Sequence, residues 1–159
     1  MGKTIVEKII SRNVGRDVKP GDIVTVKVDR VMCDDIMMPF ITAKFREMGF
    51  QKVWNPDGVV IICDHLVPAS QVDDIRAYRI SNEFAAEQGI RRLHRSDGIC
   101  HHLMTEAGHV VPGDVVFGTD SHTTTYGCVG ASPPASATRR WQASSGPESS
   151  GSGCRRPSR

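Results

Sequence analysis

The chain has 159 residues, 39% hydrophobic and 24% charged, enough for one ordinary domain with its own core. It holds no apolar run of about 18 residues that could cross a membrane, and Met1-Gly2-Lys3-Thr4 lacks the apolar segment of a signal peptide. The formal charge of +2 is uneven: five of the 20 basic and one of the 18 acidic residues fall in 132–159, leaving 15 and 17 in 1–131, a net of −2. A mildly acidic body without a basic stripe excludes a nucleic-acid partner there, and the chain is expected to be cytoplasmic with no membrane partner.

Ile5, Val6, Ile9 and Ile10 follow Thr4 at helical spacing, with Glu7 three residues after it, which predicts a helix over 4–12 opened by a capping box. Lys19-Pro20-Gly21-Asp22 is a turn, and 23–28 alternates like a strand. A helix is expected from Asp35 to Met48, stopped by Gly49, with Pro39 in its first turn. The unbroken apolar run Val59–Cys63 predicts a strand buried on both faces. A second helix over 71–88 ends at Gly89, and 90–93 and 115–117 read as short strands. Helix and strand alternate, so the fold class is α/β with a mainly parallel sheet.

The polar residues sit where the strands end. Asp64-His65 follows the first of these apolar strands, Asp97 to His102 the second, and Asp120-Ser121-His122 the third. Strand exits hold side chains rigidly at a crevice. A carboxylate beside an imidazole fixes its tautomer and suits it to proton transfer or to bonding a hydroxyl or a metal-bound water. The residues leave those uses open. Five cysteines, odd in number and without a CxxC pair, argue against a disulfide scaffold and a zinc ribbon.

In combination, Cys63-Asp64-His65, Gly98-Ile99-Cys100-His101 and Gly118-Thr119-Asp120-Ser121-His122-Thr123 resemble the aconitase superfamily. Thr4 to Ile9 and the turn at 19–22 are most similar to its 3-isopropylmalate dehydratase large subunits. The resemblance covers 1–131 and implies the N-terminal part of an α/β/α domain. It implies a hydro-lyase of leucine biosynthesis in which a [4Fe-4S] cluster holds the leaving hydroxyl of a small hydroxy acid, with a separate small subunit as partner. Carried over by motif, the catalytic residues are Asp64, His65, His101, Asp120 and His122. Ser121 and Asp34 are the implied substrate contacts. The cluster thiolates of the family come from later cysteines, so no metal ligand is expected in this chain and the cluster is not expected to be bound by it. At 34–39 the chain departs from its relatives, which leaves homoaconitate, aconitate or a methylated malate as alternative substrates.

Residues 132–159 contain no Leu, Ile, Val or Phe, while Ser, Pro, Gly and Arg make up 20 of the 28. That composition predicts a disordered tail. One base missing near Ala131 would account for it, because the shifted codons permit a helix-like stretch and an apolar strand. The tail is therefore expected to be out of frame, and the body to be a fragment inactive by itself. Two readings of other classes remain. One is a mononuclear metallohydrolase with Asp64, His65, His101, Asp120 and His122 as ligands; the other is a binding module that uses its Arg-rich tail.

Overall fold

The computed structural model describes residues 2–132 and the backbone of Ser150–Gly153. Helix α1 is Ile5–Val14. Thr4 Oγ1 accepts from Glu7 N–H at 3.3 Å, and Glu7 Oε2 accepts from Thr4 N–H at 2.6 Å. This is the reciprocal box expected from Thr4 and Glu7, and it satisfies amides that the first turn cannot. Strand β1 is Ile23–Val26.

Four further strands, β2 (Arg30–Asp34), β3 (Val59–Ile62), β4 (Arg92–His94) and β5 (Val116–Gly118), form one sheet. Their order is β4-β3-β2-β5, and every neighbouring pair is parallel. Between them run α2 (Met38–Glu47), α3 (Val72–Gln88) and α4 (Cys100–Glu106). Alternation along the strands sends side chains to two separate cores. Val31, Cys33, Val59, Ile61 and Phe117 pack with Ile9 and Ile10 of α1, Ile41 and Phe45 of α2 and Phe84 of α3. Met32, Val60, Ile62 and Val116 pack on the opposite face with Cys100 and Met104 of α4, and with Tyr126. Each fully buried aliphatic side chain contributes about 1.5–3 kcal/mol. With both faces covered, all four residues of β3 are buried, which is why its sequence is apolar without alternation.

The chain steps outward from β2 to β3 to β4, then returns across the sheet to place β5 on the other side of β2. The two crossovers through α2 and α3 share one face, and the return through α4 lies on the other. The strand order reverses between β2 and β5. A parallel sheet opens its crevice beyond the carboxyl ends of strands at such a point.

The α/β class, the parallel sheet and the covered β3 agree with the sequence reading; several details differ. Strand β2, the centre of the sheet, is not expected from the sequence. Its apolar core is only Val31-Met32-Cys33, enclosed by Arg30 and Asp34, and the helix expected from Asp35 begins at Met38. Strand β1 lies outside the parallel sheet and pairs antiparallel with β6 (Ser150–Gly153). The strand-exit stretch that ends at His102 runs into a helix the sequence reading did not include, α4, from Cys100 to Glu106. Ser132, expected as the first residue of the tail, is buried beside β5: its N–H donates to Asp114 O at 2.7 Å and its carbonyl accepts from Val116 N–H at 3.2 Å. The expectation of disorder beyond it concerns 133–149 and 154–159, which lie outside the described residues. No helix among the described residues is long and apolar enough to cross a membrane.

Candidate functional site

Asp34 ends β2 and Asp35 follows it; both are buried, at 1% and 0% exposure. Asp34 Oδ1 accepts from Met37 N–H at 2.9 Å, and its Oδ2 accepts from the Thr119 hydroxyl. The Asp34 N–H in turn donates to Thr119 Oγ1 at 3.0 Å. This exchange ties the end of β2 to the exit of β5. Asp35 reaches the other way: Oδ1 accepts from His65 N–H at 3.1 Å and Oδ2 from Leu66 N–H at 3.0 Å. The β3 exit is held by that one carboxylate.

The Asp64 side chain bridges two elements. Its Oδ1 lies 2.8 Å from His65 Nδ1, and its Oδ2 accepts from Cys100 N–H, at the start of α4, at 2.6 Å. After β5 the chain turns into a 3₁₀ run, Ser121–Val129, capped by Asp120, whose Oδ1 accepts from His122 N–H at 2.9 Å. Gly118 makes that turn feasible, because a Cβ there would collide with Thr123 Oγ1. Thr123 instead packs over the strand end, its hydroxyl donating to Asp120 O at 2.6 Å.

Asp120 is the point on which the imidazoles converge. His65 Nε2 lies 3.5 Å from its Oδ2, while His122 Nδ1 and His101 Nδ1 lie 3.5 and 4.0 Å from its Oδ1. The rings of His101 and His122 are 5.3 Å apart. Ser121 Oγ sits 3.2 Å from His122 Nδ1. All five residues expected to carry the chemistry, with Ser121, therefore gather at one rim. Asp34 lies beside them, but both its carboxylate oxygens are engaged within the protein. His101 belongs to the first turn of α4 rather than to a loop. Its Nδ1 is buried and has no hydrogen-bond partner.

The charges are arranged for proton exchange. Burial pulls the His65 pKa down, but the hydrogen bond to Asp64 and the nearby charges of Asp64, Asp34 and Asp120 outweigh it and hold the imidazole above its ordinary value. Burial also penalises the Asp120 carboxylate, yet the His122 amide and the His65 and His122 rings keep its pKa below the usual range. Asp34 moves the opposite way: burial raises it, and the bonds from Thr119 and Met37 only partly offset that.

Sequence reasoning missed Asp35, Thr119 and Thr123, which touch backbone and neighbouring side chains rather than the crevice. Thr119 and Thr123 stood inside the quoted motif, whereas nothing in the sequence distinguished Asp35 from its exposed kin. His94 and His109, left outside the strand-exit pattern, bond each other through their Nε2 atoms at 2.8 Å, with Asp97 Oδ2 at 2.6 Å from His94 Nδ1. A cleft of about 270 Å³ opens at the other end of the sheet, lined by Lys27, Arg30, Trp54, Asn55 and His109 among others. None of the expected site residues lines it.

The described thiols do not match the donor set of an iron–sulfur cluster. Cys33, Cys63 and Cys100 are buried. Burial raises each pKa, that of Cys63 to about 12. No group of three cysteines converges among the described residues: the convergent donor groups are Cys100 with His101 and Asp120, and Asp34 with Asp35 and His65.

Comparison with known proteins places the chain among named relatives. Over 132 residues the chain is 46% identical to the 3-isopropylmalate dehydratase large subunit 1 of Methanopyrus kandleri, covering 82% of this chain and 32% of that protein. It is 44% identical over 131 residues to the 3-isopropylmalate dehydratase large subunit of Methanoregula boonei, again covering 82% and 32%. The large subunit of Nitratiruptor sp. is 44% identical over 133 residues with the same coverage. The chain thus spans about a third of the length of the curated relatives it matches. Residues 7–133 match the aconitase family (aconitate hydratase), and with its three strand-exit motifs brought to one crevice the chain belongs to that family.

Proposed function

We propose that this chain is the N-terminal part of a hydro-lyase large subunit that interconverts 3-isopropylmalate and 2-isopropylmalate by removing and re-adding water. The observation that carries this reading is the convergence of His65, His101 and His122 on Asp120 at the switch point of a parallel sheet. The names of the similar large subunits support the substrate class.

In this reading His65 is the acid. Asp64 fixes its Nδ1 and leaves Nε2 toward the crevice, and a pKa held above the ordinary imidazole value favours its protonated form. It gives that proton to the substrate hydroxyl as the C–O bond breaks, and takes it back from water on the return. Asp120 stays ionised and orients the imidazolium. His101 and His122 bond the departing oxygen, and the Ser121 hydroxyl binds a substrate carboxylate. Asp34, with both oxygens engaged, sets the spacing between β2 and β5. The base for the carbon-bound proton, the cluster thiolates and a small subunit lie outside this chain.

Residues 1–131 form the family portion, and 132–159 are out of frame with it. The loss of apolar residues at that point and a family match running to residue 133 support this. Re-reading the DNA across codons 128–135 tests it, since an intact frame in independent clones would refute the shift. For the activity, residues 1–131 are joined to the remaining two-thirds of the Methanopyrus kandleri large subunit and supplied with its small subunit, iron and sulfide. Isopropylmalate interconversion is expected, and His65→Gln should lower kcat by about 10²–10⁴-fold with little change in KM. Turnover that survives His65→Gln undiminished removes the acid role. Turnover of homoaconitate alone moves the substrate.

A further inference from the structure

The Cys100 thiol has no part in the reading above, yet it converges with two residues that do, His101 and Asp120. One ligand atom from each lies within 4.8 Å of the other two. A tetrahedral ion bound at about 2.0–2.3 Å from N, O and S donors needs them roughly 3.3–3.8 Å apart. The His101 Nδ1 to Asp120 Oδ1 distance is 4.0 Å and all three donor atoms lie within 4.8 Å, so closure on an ion draws them together by up to about 1 Å. We propose that this chain binds one zinc-class divalent ion directly through Cys100 Sγ, His101 Nδ1 and Asp120 Oδ1, leaving the fourth position to water.

Three observations support this independently of the dehydration reading. First, His101 Nδ1 is buried without a hydrogen-bond partner. A buried ring nitrogen left unsatisfied is costly, and a metal bond to its lone pair relieves it. Second, the site is rich in negative charge and short of fixed cations. Asp34, Asp35, Asp64 and Asp120 surround it, and the basic groups that face it among the described residues are imidazoles: His65, His101 and His122, with His102 stacked on His101. Third, the partners that would steady the ligands are in place. Asp64 Oδ2 accepts from Cys100 N–H, the His122 N–H donates to Asp120 Oδ1, and His65 Nε2 faces Asp120 Oδ2. Such supporting bonds commonly alter metal affinity by about 10–100-fold. Cys100 enters as thiol and leaves as thiolate, so each ion bound releases one proton to solvent.

The donor chemistry favours zinc over magnesium or calcium, because a thiolate and an imidazole are poor ligands for hard ions. Cobalt(II) is the probe, since it occupies tetrahedral zinc sites and is coloured there. Titrating the reduced 159-residue chain with cobalt(II) is expected to give a sulfur-to-cobalt charge-transfer band and intense visible bands that saturate at one equivalent and are bleached by zinc. Cys100→Ser should abolish the charge-transfer band, and His101→Ala should weaken binding at least about tenfold. Cys63→Ser, Cys128→Ser and Cys154→Ser should leave both unchanged. Should Cys100→Ser fail to fold by circular dichroism, X-ray absorption of the zinc-loaded wild-type chain decides, with one sulfur and two or three N/O neighbours expected. A band that survives Cys100→Ser, or zinc with no sulfur neighbour, overturns the assignment. Loss of isopropylmalate turnover in the joined protein would not touch it.

Discussion

Gly118→Ala tests whether the β5 exit is built on a close approach. A Cβ at this position would collide with Thr123 Oγ1 and lie 2.9 Å from Thr123 Cγ2. Thr123 is 2% exposed, so its side chain has no solvent to swing into and the backbone must give. Overpacking of this kind costs about 1–3 kcal/mol. Displacing Thr123 also breaks its 2.6 Å bond to the Asp120 carbonyl, worth about 1 kcal/mol more. A loss of about 2–4 kcal/mol is expected from the urea midpoint, with Trp54 fluorescence and circular dichroism as probes. Thr123→Ala alone removes Oγ1 and Cγ2 and should cost about 1–2 kcal/mol. In the double variant most of the clash is gone, although Thr123 Cβ, 3.1 Å from the added methyl, still presses on it. The combined loss should therefore fall below the sum of the single losses by about 1–2 kcal/mol. Additivity within about 0.5 kcal/mol would mean that the two positions do not couple, and the account of the β5 exit would be wrong.

Three further outcomes follow from the same geometry. The His65 imidazole should titrate by NMR above its ordinary pKa and fall back in Asp64→Asn. Because its folded-state pKa is raised, its contribution to stability is complete below about pH 6.5 and lost as pH rises through the folded value. His65→Gln should thus destabilise more near pH 6 than near pH 8.5, and the reverse order would refute the ion-pair reading. Asp35→Ala removes the acceptor of the part-buried N–H bonds from His65 and Leu66 and should cost about 1–3 kcal/mol, so a midpoint unchanged by the substitution would show that the carboxylate does not hold the loop. Alkylation at pH 8 mapped by mass spectrometry should modify exposed Cys128 well before Cys63, whose thiol is buried and pushed up to about 12; faster labelling of Cys63 would contradict its packing.

The local signals were legible because each depends on residues a few positions apart. Thr4 and Glu7 announced the start of α1, Gly89 at φ 71° closed α3, and the unbroken apolarity of Val59–Ile62 stated that both faces of β3 are covered. The three strand-exit motifs were legible for a similar reason. A polar cluster after an apolar run has nowhere to go but the rim, and the resemblance to the family added the roles.

What only the tertiary structure decided is how the strands sit side by side. Three apolar residues between charges do not declare a central strand, and Val31-Met32-Cys33 became one because β3 and β5 pair with it on either side. The sequence cannot tell that Thr119, 85 positions away, donates to the carboxylate of Asp34 and ties β2 to the exit of β5. Asp35 looked like nothing in particular until the fold placed two amides of the β3 exit against it. Residue types and their order determined which groups reach the crevice. Long-range pairing decided which of them stay free to act and which hold the others in place, because a carboxylate's role depends on the donors within about 3 Å of it.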